Sequence, residues 1–210
     1  CVNTPVEATS SVINDDCNAG TFQVEVDVTN LGGPTPMINW VATPGGPGSV
    51  AAVGGPQTIP MVFAVGAEVM VTVSNGGSGC TLDLGGHFSN CPVTLICGDP
   101  AVIVSHCYKN FDPRTFTFTS NTPGETVTVT FISGSMDPND VIRAYNGTNN
   151  LGQPIPGLTG TFANLAGASG TTDAGFPDYE SIFIEIDSDG SNSCHTGPQS
   201  TWVFQAKCTP

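Results

Sequence analysis

Phe22-Gln23-Val24-Glu25-Val26-Asp27-Val28 alternates apolar and polar side chains over seven positions. That period of two places one set of side chains on each face of an extended chain, the pattern of a half-buried β-strand. Glu68-Val69-Met70-Val71-Thr72-Val73-Ser74 repeats it, and Asn75-Gly76-Gly77 follows with the residues of a tight hairpin turn. Working outward, the spacing predicts further strands over 37–42, 58–64 and 81–84, then over 115–119, 126–132, 141–145, 182–187 and 202–206. Turn-forming clusters such as Pro44-Gly45-Gly46-Pro47-Gly48 separate them. Helical periodicity is nearly absent. Many short strands at regular spacing predict an all-β fold built of antiparallel sandwiches.

Composition agrees. The chain has 210 residues with 26 Gly and 17 Pro, about a fifth of the whole and well above the usual share of roughly 12 %. These residues weaken helix interiors by about 1 and 3 kcal/mol each, which excludes a helix-rich enzyme. Four basic residues stand against 18 acidic ones, for a net charge of −14. Phosphate would repel such a chain, so a nucleic-acid partner is not expected. Hydrophobic residues at 39 % suffice for a core. No apolar run approaches the roughly 20 residues of a bilayer-spanning helix, so no membrane insertion is expected. The chain begins at Cys1 without an initiator Met, and is expected to be a processed product or a segment of something longer.

Eight cysteines point to disulfides and an oxidising compartment, extracellular or at the cell surface. No pair has CxxC spacing, and His87, His106 and His195 do not fall at zinc-ligand intervals beside them. Four cysteines (Cys1, Cys17, Cys80, Cys91) lie before a seam at Cys91-Pro92-Val93-Thr94-Leu95-Ile96-Cys97, and four (Cys97, Cys107, Cys194, Cys208) from its end onward. All four cations lie in the second half, yet each half carries a net charge of −7. The expected organisation is therefore two disulfide-stapled β-sandwich domains in tandem, over 1–92 and 97–210, joined by a linker at 93–96. Four cysteines allow three connectivities per domain. An immunoglobulin-like strand order would pair Cys1 with Cys80 and Cys17 with Cys91, and the local alternative pairs Cys1 with Cys17 and Cys80 with Cys91.

From Cys97 onward several segments occur in an informative order. Cys97-Gly98 opens the stretch, and Tyr108-Lys109-Asn110-Phe111 leads into Phe116-Thr117-Phe118. Asp140-Val141-Ile142-Arg143-Ala144-Tyr145-Asn146-Gly147, Ile186-Asp187-Ser188-Asp189-Gly190-Ser191-Asn192 and the closing Trp202–Cys208 follow. This half resembles a CUB domain, a ten-stranded sandwich common in secreted proteins. The first half is similar, in pattern alone, to an immunoglobulin or fibronectin-III module. The combination resembles repeat units of large secreted or surface adhesins of Bacteroidota.

The resemblance implies a calcium site. Carried over by residue, its ligands are Asp140, Asp189 and Asn192, with the Ser191 carbonyl as a further donor. A hard cation takes six to eight oxygen ligands, which loop Asp and Asn residues supply. The family also uses a Glu about eight residues before the first Asp, where this chain has Phe131-Ile132-Ser133-Gly134, so Asp137 or Asp187 would substitute. The same acids also suit turns without any metal, as in Asp-Pro-Asn-Asp.

Catalytic signatures are missing from the sequence: it has no GxSxG elbow, HExxH helix or phosphate-cradling loop. Asp178, Glu180 and Glu185 are the carboxylates a glycosidase pair would draw on, and Cys194-His195 is a thiol–imidazole neighbour pair, with Cys194 expected instead to be bridged. Asn146-Gly147-Thr148 matches a glycosylation sequon. Trp40 and Trp202 are expected in the core. These readings predict a non-enzymatic structural or adhesive module, a repeat or subunit of an adhesin or filament. Its expected partners are copies of itself or neighbouring modules, and surface glycans or proteins. The rival reading is a calcium-dependent carbohydrate- or protein-binding module appended to a secreted enzyme.

Overall fold

Where a strand alternates buried and solvent-facing residues, the chain must pair on its edges and cover one face, and the computed structural model does both. It describes residues 5–33, 35–75 and 80–209, and among these it contains sixteen strands and no helix. The fold is all-β. The chain divides into two compact units, Cys1–Cys91 and Pro92–Pro210.

In the first unit, β1 (Glu7–Asp16), β2 (Thr21–Asn30), β3 (Pro36–Thr43), β4 (Gly46–Ala51), β5 (Gly55–Thr58), β6 (Phe63–Ala64), β7 (Glu68–Asn75) and β8 (Cys80–Phe88) make two antiparallel sheets. One has the order β1-β2-β5, with β6 also paired to β2, and the other has β4-β3-β7-β8. Phe22, Val24, Val26 and Val28 of β2 meet Ile38 and Trp40 of β3 and Val69, Val71 and Val73 of β7 in one core. Each such side chain contributes about 1.5–3 kcal/mol on burial. Of the strand predicted over 58–64, only Thr58, which ends β5, and Phe63–Ala64, which is β6, are strand. Pro60 between them lacks the N–H a ladder needs, and Met61 turns back to bond the Ile59 carbonyl at 2.7 Å. Part of the Pro44–Gly48 cluster, read as a turn, is strand: β4 begins at Gly46 and pairs with β3 across Trp40 and Gly48. Cys17 is bridged to Cys91, with Cα atoms 5.2 Å apart, which removes the local pairs. Cys1, and with it the expected Cys1–Cys80 bridge, lies outside the described residues, as do Gly76 and Gly77 of the predicted turn.

The second unit holds β9 (Val93–Leu95), β10 (Val102–His106), β11 (Thr115–Ser120), β12 (Thr126–Ser133), β13 (Val141–Asn146), β14 (Ser169–Thr171), β15 (Ser181–Asp187) and β16 (Trp202–Thr209). They form sheets β10-β16-β12-β14 and β13-β15-β11-β9, antiparallel except for the β9–β11 pair. A single core joins both sheets. Phe204 is its hub, with Phe116 and Phe131 rings 5.1 and 5.0 Å away. Val93–Leu95 was expected within a linker and is strand β9, with Leu95 2 % exposed in this core. Its neighbour Cys97 is bridged to Cys208, and Cys107 to Cys194.

Candidate functional site

Tyr108 to Asp112 and Ser188 to Gly197 are loops with no ladder of their own, so their polar backbone groups must find other partners. They find one another. Phe111 N–H donates to the Asp189 carbonyl at 3.1 Å, and Asn110 Nδ2 to the Gly190 carbonyl at 2.8 Å. Ser188 Oγ donates to the Lys109 carbonyl and accepts from Asp112 N–H, at 3.0 and 2.8 Å. The Cys107–Cys194 bridge fastens the same two segments.

The residues proposed for calcium gather against this lacing in part. Asp140, immediately before β13, is fully buried. Its Oδ1 accepts Asp189 N–H at 2.8 Å, while its Oδ2 is buried with no hydrogen-bond partner. Asp137, 4 % exposed, accepts from Asn139 N–H and Nδ2 through Oδ1 and donates its own N–H to the Tyr108 hydroxyl at 3.0 Å. That hydroxyl also interacts with the Asp140 carboxylate, while Oδ2 is left without a hydrogen-bond partner of good geometry. Burial pushes the Tyr108 hydroxyl far above its ordinary range; the Asp137 N–H opposes this, and the Asp140 and Asp137 carboxylates add to it. Tyr108 therefore stays a neutral phenol.

Asp189 Oδ1 is engaged by Ser191 N–H and Oγ at 2.7 and 2.9 Å, an Asx-type turn. Asn192 is exposed with φ of +54°. Asp187 sits elsewhere: its side chain is 58 % exposed and pairs with Arg143 Nη1 at 2.7 Å. Alternation along β15 turns it away from buried Ile186, so of the two substitutes only Asp137 adjoins Asp140. Among the described residues no three Asp, Glu, His or Cys side chains surround one point. The orphaned Oδ2 nonetheless fits a cation. A buried carboxylate oxygen without a donor is costly to leave bare.

A second polar cluster escaped the sequence reading. His106 Nε2 and Asp112 Oδ2 lie 2.9 Å apart, both nearly sealed from solvent. Asp112 also accepts Lys109 N–H on Oδ2 and Arg114 N–H on Oδ1, each at 2.9 Å. Buried Arg114 lies 4.7 Å over the Phe116 ring. Burial by itself would raise the Asp112 carboxyl, but the His106 contact and the two N–H donors hold it below the usual carboxylate range. The only signal was His106 beside Cys107, too sparse to read.

Cys194 is spent in its bridge, so no thiol stands beside His195. Glu180 accepts Gly124 N–H at 2.7 Å, and Glu185 receives Tyr145 Oη and Asn150 Nδ2 at 3.4 Å each. Asn146 of the sequon is 3 % exposed, so the folded chain does not present it for modification. Trp40 and Trp202 are both buried. No helix among the described residues is long and apolar enough to cross a membrane. No protein-family model and no curated protein matches the chain.

Proposed function

We propose that the chain is a structural and adhesive module of the extracellular space or cell surface, a repeat or subunit of an adhesin or filament. In this reading a CUB-like unit follows an immunoglobulin- or fibronectin-type one, and neither carries out catalysis. The observation that carries it is the placement of the bridges. Cys97–Cys208 closes over a separation of 111 residues, nearly the whole second unit, and Cys17–Cys91 over 74 residues of the first. Apart from β1 and β9, which precede Cys17 and Cys97, the ladders lie almost wholly within the bridged spans, so a pull along the chain is borne there by covalent bonds, which suits a module held under tension. Each bridge also stabilises against thermal unfolding, by about 2–4 kcal/mol.

Calcium belongs to the same proposal. Asp140, with Asp137 and Asp189, would hold the ion, and Asn192 and the Ser191 carbonyl would complete the oxygen set; Asp187 is occupied by Arg143. The ion would supply the positive charge that the buried Asp140 carboxylate lacks. Partners in this reading are other copies of the chain or neighbouring modules, and surface glycans or proteins.

Bead retention under flow tests adhesion. Beads carrying the oxidised chain are expected to hold on a surface coated with the same chain or with a neutral polysaccharide, and to detach after reduction. Beads that hold on neither surface would overturn the reading.

A further inference from the structure

Residues 147–168 between β13 and β14 form no strand, and a second irregular stretch, 172–180, follows β14. Strand-free connections of this length are uncommon inside a packed domain and usually carry function. This one is not slack. Ile155, Leu158 and Leu165 are buried in the core, and Gly160 and Pro154 bridge to Ile142 and Tyr145 of β13. Gly152 lies so close to the Asn146 carbonyl that any side chain there would displace the loop.

The two stretches enclose adjoining hollows of about 270 and 240 Å³, with Asn146, Gln153 and Phe176 lining both. Each volume is near the lower end for a small-molecule site. Asn146 is buried, and its Oδ1 accepts Asp173 N–H at 3.1 Å. The same side chain forms part of the floor of both hollows. Phe176 stands on a fixed turn: its N–H bonds the Asp173 carbonyl at 3.1 Å, and Gly175 N–H bonds Asp173 Oδ1 at 2.8 Å. Phe176 is 39 % exposed, a large apolar side chain at the surface.

We propose that this hollow binds a neutral saccharide. One face of a sugar ring is C–H and matches the Phe176 face, while its hydroxyls both accept from the amides of Asn146 and Gln153 and donate to Asp178. A wholly apolar ligand would cover the Asn146 and Gln153 amides without meeting them, at a cost. Phosphate, sulfate or uronate ligands would meet acids and no Lys or Arg in the lining, on a chain of net charge −14. The inference rests on the adhesive reading for what such a module encounters, and it assigns that module a ligand class and a place.

The test is a nitrogen–proton correlation spectrum of the whole chain, titrated with methyl glycosides of glucose, galactose, mannose and N-acetylglucosamine, and separately with trilysine. At least one glycoside should move the Asn146 and Gln153 side-chain amide signals and the backbone signals of 147–153 and 173–178, saturating in the millimolar range. Phe176→Ala, at an exposed position, should leave the remaining spectrum in place and weaken that binding at least about tenfold. The proposal is overturned if no glycoside moves these signals, if trilysine alone does, or if Phe176→Ala binds as tightly as the parent. Each of those results leaves bead retention on the self-coated surface standing, so the site and the adhesive reading fail separately.

Discussion

Asp140 and Asp112 are both buried carboxylates of the second unit, and their surroundings set them to different tasks. Asp112 has a full complement: the His106 ring and the N–H groups of Lys109 and Arg114. Because its carboxyl is held below its ordinary value, its contribution to stability is present above the unfolded-state pKa near 3.9 and is lost as pH falls below that. Urea unfolding of Asp112→Asn should therefore show a loss on the order of 3 kcal/mol at neutral pH. The gap between variant and parent should narrow steadily below about pH 4; a constant gap would contradict the assignment. Asp140 has one oxygen unpaired. Calcium should raise the melting temperature of the parent relative to chelator, by more than magnesium does, and Asp140→Asn should lose most of that rise. Identical melting of the parent in calcium and chelator would remove calcium from the account. The sequence carried Asp140 and Asp189 only through a family resemblance. Neither the orphaned oxygen nor the Arg143 partner of Asp187 can be read from spacing, because both depend on strands distant in the chain.

At the scale of the strand, legibility followed burial. β2, β7, β11, β12, β13, β15 and β16 were readable to within a residue or two at most ends, since each alternates a core face with a wet one. β1 was not: Glu7–Asp16 lies at a sheet edge, is mostly exposed and holds its place by pairing with β2. β4 was hidden by its Gly and Pro, which mark turns locally but are tolerated on an edge strand. Gly48 shows why a small residue is needed there. A Cβ at this position would fall inside the Trp40 indole, which packs from the neighbouring strand. Gly48→Ala is expected to destabilise the first unit by about 1–3 kcal/mol, read as a lower denaturant midpoint. A midpoint equal to that of the parent would mean that Trp40 repacks freely. β9 reads as linker because three residues are too few to show a period; its pairing with β11 makes it part of the sheet.

Across the whole chain, two units with separate cores are each closed by a bridge between residues far apart in sequence. The even split of cysteines and charge is what led to an expectation of two units, and the period-two alternation is what made the all-β class legible. What the sequence left open was which sulfurs meet, since pairing follows strand order in space. The central claim is that these bridges, and not the sheets, limit how far the chain stretches. Pulling a single oxidised chain by its ends should release no step as long as either bridged loop. After reduction of all bridges, two new steps should appear, roughly 240–270 Å for the first unit and roughly 370–400 Å for the second. An oxidised chain that already extends to the reduced length would contradict the account.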